Sequence, residues 1–227
     1  MSGARERILA RLRAANAQAA GTPPDVAAYY GARAAALGAS PREVRVARLC
    51  ECLRASRADV IVSPRGEWTA AAVAALRRRG VGRLAHALDP AARALVAALP
   101  PDIDAIAFRD PIERWKREIF EHCDAGFTPA AAGVAATGAL LLNHGRDLPR
   151  TLSLVPPVSL ILVDENDIFD DLHSAASAQR WAHDMPTNRV LVSGPSKTAD
   201  IQQTLAYGAH GPRELVVIVV TGGEGAA

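Results

Sequence analysis

Apolar residues in this chain alternate between short continuous runs and longer stretches with helical spacing. Short runs are typical of strands buried on both faces, whereas apolar residues three or four positions apart line one face of a helix. From residue 41 onward the two patterns take turns, which is typical of βαβ units. The predicted strands of the first part are residues 58–63, 83–88 and 103–108, and the predicted helices are residues 41–56, 67–79, 90–99 and 111–123.

The second half interrupts this alternation. Apolar runs at residues 139–143, 152–155 and 158–163 follow one another without a clear helix between them. Consecutive strands of this kind predict an antiparallel insertion in the sheet or at its edge. The alternation then resumes with a helix over 167–181, a strand over 190–193, a helix over 198–207 and a strand over 215–220. We therefore predict the α/β class, with a mostly parallel sheet and helices on both faces.

The N-terminal region has a different pattern. Residues 2–19 and 26–37 form two predicted helices, and a proline pair between them cannot continue the first. The first helix is amphipathic and rich in arginine, and it lacks the apolar core of a signal peptide. We expect a helical arm over residues 1–40, followed by an α/β domain over residues 41–227.

Charge and composition exclude several classes of protein. The formal net charge of +2 is far from the basic excess of a dedicated nucleic-acid binder. Apolar runs are too short to span a membrane. The three cysteines support no disulfide framework, so we expect them to be reduced in a cytoplasmic protein. Cys50, Cys52 and Cys123 include no C-x-x-C spacing, which argues against an iron–sulfur cluster or a structural zinc site. We expect no metal or cofactor bound by this chain.

The first candidate site lies at residues 189–201, which predict a strand, a tight turn and the start of a helix. Free backbone N–H groups at a helix start favour an anion. Lys197 in the first helical turn opposes the helix dipole unless an anion lies beside it. We therefore expect Gly194, Ser196, Lys197 and Thr198 to bind a small anion. Alternatively, Ser196 or Thr198 merely caps the helix and Lys197 is solvated.

A second candidate is the turn that contains Gly133, Thr137 and Gly138. Glycines let a backbone approach a ligand, and the threonine hydroxyl both donates and accepts hydrogen bonds. Ligands of open α/β sheets gather at the carboxyl ends of strands, where this turn and Lys197 could meet. Tight packing of small residues is the alternative. Arg150 could clamp a carboxylate, or simply lie on the surface.

Catalytic residues are not identified by these patterns, and Asp200 and His210 are the only candidates. A carboxylate such as Asp200 could act as a base or a nucleophile. His210 could titrate near neutral pH. However, a helix over 198–207 would carry the chain roughly 13 Å away from Lys197, unless the chain folds back or a second subunit contributes. We therefore expect a structural or interface role for His210.

Several segments together resemble the LUD-domain family, specifically lactate utilization protein C. The matching segments are Asp124-Ala-Gly-Phe-Thr128, Ala135-Ala-Thr-Gly-Ala139, Arg150-Thr-Leu-Ser-Leu-Val-Pro156, Ser193-Gly-Pro-Ser-Lys-Thr-Ala-Asp-Ile201 and His210-Gly-Pro-Arg213. The last two are the most specific. One departure is Ala136, because the family commonly has an acidic residue directly before Thr-Gly.

The resemblance implies a fold similar to the sugar-phosphate isomerase and CoA-transferase superfamily. It also implies a part in oxidising L-lactate to pyruvate, beside iron–sulfur partner proteins that carry the electrons. This chain would be the component without a cluster, binding a small anionic metabolite, either a carboxylate or a phosphate. Two alternatives stay open: a stand-alone enzyme of the sugar-phosphate or acyl-transfer type, and a non-catalytic scaffold. Homo-oligomer formation is also open.

Overall fold

The computed structural model describes residues 3–18, 24–37, 40–108, 112–199 and 205–223. The chain divides into two compact units, Met1–Ala39 and Ser40–Ala227. The first unit contains helices α1 (Ala4–Gln18) and α2 (Val26–Leu37), where helices were predicted. None of the helices within the described ranges is long and apolar enough to cross a lipid bilayer.

The second unit is an α/β domain with two main sheets. Its helices are α3 (Arg42–Ala55), α4 (Trp68–Arg77), α5 (Pro90–Ala97), α6 (Ile112–Glu121), α7 (Thr151–Leu154) and α8 (Leu172–Ala178). Its strands are β1 (Asp59–Pro64), β2 (Arg83–His86), β3 (Asp104–Ala107), β4 (Ala125–Pro129), β5 (Ala132–Val134), β6 (Ala139–His144), β7 (Val158–Asp164), β8 (Ile168–Phe169), β9 (Asn188–Val192), β10 (Lys197–Ala199), β11 (Leu205–Tyr207) and β12 (Glu214–Thr221).

The larger sheet has six strands in the order β1-β12-β7-β4-β2-β3, and all of its neighbours are parallel. Its central strand β12 shows why the run is continuously apolar. Val216, Ile218 and Val220 belong to a core shared with α4 and α5. Val217 and Val219 belong to the opposite core, shared with α3 and the second sheet. A strand covered on both faces needs apolar residues at every position, so the predicted parallel α/β class is confirmed.

The second sheet has four strands in the order β8-β5-β6-β9. Strand β6 pairs antiparallel with both β5 and β9, as the predicted insertion requires. The insertion lies against a face of the larger sheet rather than at its edge, because Leu140 and Leu142 share a core with Val217. The strand predicted at 190–193 is β9, and it belongs to this second sheet rather than to the parallel one.

Three predicted elements were wrong. The helix predicted over 198–207 is wrong at both of its ends, because Lys197–Ala199 pairs antiparallel with Leu205–Tyr207 as β10 and β11. The apolar run at 152–155 is mostly the short helix α7 rather than a strand. The helix predicted over 167–181 is shorter, because a 3-10 turn and β8 come first and Asp171 caps α8 by accepting from the Ser174 N–H.

Candidate functional site

A cavity of about 290 Å³ lies between the two sheets, and we call it the hydroxyl cavity. Its walls are Ser153, Leu154, Ser159, Leu215 and residues 190–196 and 210–212. Ser159 and Leu215 are the second residues of β7 and β12, so the cavity lies at the amino ends of these parallel strands. The expectation of a site at the carboxyl ends was therefore wrong for this cavity.

Two loop segments are joined directly at the cavity wall. The Ser196 N–H donates to the Pro212 carbonyl oxygen at 2.8 Å, and the Gly208 N–H donates to the Ser196 carbonyl oxygen at 3.0 Å. Gly208 turns the chain with a φ of +77°, in the left-handed region that favours glycine. His210 thus lines the same cavity as Ser196. The helix that would have separated His210 from this turn is not formed by Lys197–Ala199 and Leu205–Tyr207, whose antiparallel pairing realises the alternative in which the chain folds back.

The polar side chains that line the hydroxyl cavity are four serines and one histidine. The hydroxyls of Ser153, Ser159, Ser193 and Ser196 and the imidazole of His210 line it, and no carboxylate is among its wall residues. The Ser159 hydroxyl is buried and has no hydrogen-bond partner within the described part of the chain. Buried hydroxyls are normally paired, so this fully buried one would gain a partner only if its side chain turned toward a ligand in the cavity.

Ser153 is also hydrogen-bonded to a buried histidine. The Ser153 Oγ lies 3.3 Å from the Nε2 of His144, and the His144 Nδ1 lies 3.1 Å from the Leu148 carbonyl oxygen. Burial lowers the pKa of His144, and the charge of Arg150 lowers it further against the opposing hydrogen bond to Leu148. In the neutral ring, Nδ1–H donates to the carbonyl and Nε2 accepts from Ser153.

Sequence reasoning missed this pair. His144 ends an apolar strand and is only 3% exposed, a buried polar position that could have drawn attention. Its contact with Ser153 depends on how α7 packs, and residue spacing does not reveal that packing. The Ser153 hydroxyl also lies 3.1 Å from the Arg150 carbonyl oxygen, so it has two acceptors within reach.

The predicted anion residues are only partly brought together. Gly194 and Ser196 line the hydroxyl cavity. Lys197 and Thr198 lie on β10, and Lys197 is exposed. Because no helix begins there, the dipole argument for Lys197 loses its basis. Asp200 lies outside the described residues.

The threonine turn lies close to the cavity edge without lining the cavity. A Cβ added to Gly138 would lie 2.6 Å from the Cys52 Cβ, and one added to Gly194 would lie 2.9 Å from the Ser56 carbonyl oxygen. Cys52 and Ser56 are one turn apart at the end of α3, so both turns reach the same edge of the domain. Thr137 itself is exposed there.

The remaining candidates have packing or surface positions. Gly133 is buried against Leu49 and Ile168, which leaves no room for a ligand beside it. Arg150 is exposed at the start of α7 and does not line the cavity. Across the described ranges, no group of three or more His, Cys, Asp or Glu residues is arranged to hold a metal ion.

A larger cavity of about 420 Å³ lies at the carboxyl ends of β1 and β12. Cys50, Val62, Glu165 and Thr221 are among its wall residues, and none of the predicted site residues is. The Glu165 carboxylate already accepts from the Gly222 N–H at 2.7 Å. This cavity is therefore a poorer candidate than the hydroxyl cavity.

Comparison with known proteins identifies the family. The family model described as the LUD domain matches residues 46–220. An uncharacterized protein of Neisseria meningitidis is 39% identical over 220 residues, covering 96% of this chain and 93% of that protein. Lactate utilization protein C of Deinococcus radiodurans is 31% identical over 146 residues, covering 61% of this chain and 68% of that protein. Lactate utilization protein C of Anoxybacillus flavithermus is 33% identical over 118 residues, about half of each chain.

A solved structure shares the fold. The crystal structure of a protein of the DUF162 family from Deinococcus radiodurans aligns with a TM-score of 0.60 and 24% sequence identity. The alignment covers 80% of this chain and 99% of that one. Together with the match of the family model over most of the domain, these similarities confirm the resemblance: the chain belongs to the LUD domain family.

Proposed function

We propose that this chain is the component of a lactate-utilization system that binds a small 2-hydroxy- or 2-oxocarboxylate in the hydroxyl cavity. Relatives named lactate utilization protein C support the system. The observation that carries the proposal is that residues 193–196 and 210–212 wall one cavity. They belong to the two most specific segments of the family resemblance, although they are far apart in sequence.

The chemistry of the wall favours a ligand rich in hydrogen-bond acceptors. The hydroxyls of Ser193 and Ser196 and the imidazole of His210 can donate, and the lining residues include no negative charge to repel a carboxylate. A volume of about 290 Å³ is at the small end of the range for ligand pockets. A three-carbon acid with a neighbouring hydroxyl or carbonyl oxygen would engage several of these donors at once.

Electron transfer is assigned to partner proteins in this proposal. Oxidation of a 2-hydroxy acid removes two electrons, and this chain would bind no redox group of its own. Iron–sulfur partner proteins would accept the electrons while this chain holds the substrate. Affinity purification from the native host should therefore recover iron–sulfur proteins together with this chain.

Binding can be tested on the purified chain by calorimetry. L-lactate and pyruvate should bind saturably, and propionate, which lacks the 2-oxygen, should bind more weakly. Ser196→Ala and His210→Gln should each weaken binding, whereas Ser177→Ala, in α8 and away from the cavity walls, should not. Equal heats for lactate and propionate, or unchanged binding in both cavity variants, would refute the assignment.

A second candidate function is a stand-alone enzyme of the acyl-transfer type. It is favoured by the hydroxyl of Ser153 beside the Nε2 of His144 at 3.3 Å, because a hydroxyl next to a neutral base is an activatable nucleophile. The purified chain should then release p-nitrophenol from p-nitrophenyl acetate, and Ser153→Ala should abolish the release. No turnover above that of Ser153→Ala would remove this candidate.

A further inference from the structure

A second, smaller cavity of about 200 Å³ adjoins the hydroxyl cavity, and we call it the arginine pocket. Pro195 and Leu215 line both cavities, so the two are neighbours. The arginine pocket is otherwise lined by charged and aromatic residues. They are Arg57, Arg79, Arg213, Asp59, Glu214 and Tyr207.

The carboxylates of the arginine pocket already have partners. Arg79 donates to Asp59 at 2.9 Å and to Glu214 at 2.8 Å, and its side chain is only 14% exposed. Arg78 adds a second cation 3.8 Å from Asp59. Two carboxylates are thus neutralised by two arginines next to the pocket.

The other two arginines are uncompensated. Among the described residues, no carboxylate lies within ion-pair distance of Arg57 or Arg213. Arg57 and Arg213 therefore leave two surplus positive charges at the pocket and its rim. This surplus equals the formal net charge of the entire chain, which is +2. Cations that line a concave surface attract anions more strongly than isolated surface cations, because the walls focus their field.

Arg57 occupies a position that a glycine would fill more easily. Its φ of +68° lies in the left-handed region, directly after α3. The Ala58 N–H donates to the Leu53 carbonyl oxygen at 3.0 Å there, closing the helix end. Glycine is the usual residue at such a helix terminus. The guanidinium carbon of Arg57 lies 4.9 Å from the centre of the Tyr207 ring, which holds the cation beside the pocket.

We propose that the arginine pocket binds a phosphate group through Arg57 and Arg213. A phosphate dianion matches the surplus of two positive charges, and its oxygens accept the forked N–H groups of guanidinium in pairs. The group can be inorganic phosphate, or the phosphate of an ester whose body reaches past Pro195 and Leu215 toward the hydroxyl cavity. The pocket does not depend on lactate binding, so the proposal stands apart from the proposed function.

Titration with inorganic phosphate at constant ionic strength tests the proposal. Saturable binding is expected for the parent chain, and Arg57→Gly and Arg213→Gln should each weaken it by about tenfold or more. Arg117→Gln is the matched control, since Arg117 is 81% exposed on α6 and pairs only with Glu121 among the described residues. Removing that charge should leave the affinity unchanged.

Arg57→Gly also separates binding from folding. Glycine relieves the positive φ, so this variant should melt no lower than the parent while it loses phosphate affinity. Phosphate binding that is non-saturable, or that falls equally in Arg117→Gln, would overturn the proposal. So would full affinity in a folded Arg57→Gly and Arg213→Gln double variant.

A second titration identifies the source of the phosphate. The probe is 3-phosphoglycerate, which joins a 2-hydroxy acid to a phosphate ester. Tighter binding than inorganic phosphate, weakened by Ser196→Ala, assigns the pocket to an ester that spans both cavities. Equal binding, indifferent to Ser196→Ala, assigns it to free phosphate. Failure of lactate to bind would contradict the proposed function alone, because the phosphate titration is measured without lactate.

Discussion

The backbone N–H of Ser196 donates to the carbonyl oxygen of Pro212 at 2.8 Å. This single bond joins a loop that leaves the second sheet to a loop that enters the larger one. It places His210 and Ser196 on the same cavity wall, although residues 200–204 and a strand pair separate them in sequence. The family segments that looked independent in the sequence are thus one structural unit.

The unpaired hydroxyl of Ser159 gives a prediction in which stability and binding change in opposite directions. Ser159 is 2% exposed and its Oγ has no partner within the described chain. Ser159→Ala removes a buried unsatisfied group, so the free protein should gain about 1 kcal/mol of unfolding free energy. Lactate affinity should fall by about tenfold, because the variant cannot make the bond that the Ser159 hydroxyl would form on turning toward the ligand. Denaturant titration and calorimetry measure the two effects.

Thr128 provides the matched control for that experiment. Its Oγ1 is also buried without a partner among the described residues, but it lies on β4 and does not line the hydroxyl cavity. Thr128→Val should stabilise the protein in the same way and leave lactate affinity unchanged. A loss of affinity in both variants would mean that binding responds to core packing rather than to the Ser159 hydroxyl.

His144 should make stability depend on pH below about 6.5. Burial lowers its pKa in the folded state, so the unfolded chain takes up a proton first as the pH falls. The contribution of neutral His144 is complete above the unfolded value of 6.5 and is lost as the pH falls through the lower folded value. Unfolding free energy measured between pH 7.5 and 5 should therefore decline. His144→Gln should flatten this decline, whereas exposed His183→Gln should not.

Gly138 should tolerate no side chain. Its φ is +67°, and an added Cβ would lie 2.6 Å from the Cys52 Cβ on α3. Gly138→Ala should cost about 2–3 kcal/mol of unfolding free energy, from the positive φ and from the displaced helix end. Gly145→Ala is the control, since nothing lies within 4 Å of the added atom and its φ is ordinary. Equal melting temperatures for both variants would contradict this packing.

Cys123 should be inert to alkylation while the protein is folded. Burial, with help from Glu118 and Asp124, raises the pKa of its thiol to about 11. At pH 8 only about one thiol in a thousand would be the reactive thiolate. Iodoacetamide followed by mass spectrometry should modify half-buried Cys52 first and reach Cys123 only in denaturant. Labelling of Cys123 at the rate of Cys52 in the native protein would contradict its burial.

The sequence pattern predicted those elements correctly whose structure depends on residues within the element itself. The continuous run of β12 required cover on both faces, and the parallel sheet follows from it. The helix start at α5 is equally local, because the Asp89 side chain accepts from the Ala92 N–H beside Pro90. These elements could be predicted because the information lies within a few residues.

Long-range contacts explain what the sequence did not reveal. Residues 198–207 contain helix-forming residues at helical spacing, but the pairing of Lys197 with Tyr207 prevails in the folded chain. The pairing is supported by the bonds from Ser196 to Pro212 and from Gly208 to Ser196. The contact between Ser153 and His144 depends on tertiary packing in the same way.

The hydroxyl cavity lies between the two sheets. Ser159 and Leu215 lie near the start of strands in one sheet, and Val192 ends a strand of the other. Its walls therefore come from both sheets and from the two loops at residues 193–196 and 210–212. A ligand that contacts both sheets would hold the two layers together. The resulting stiffening would reach the buried amides of β6, a strand that does not line the cavity.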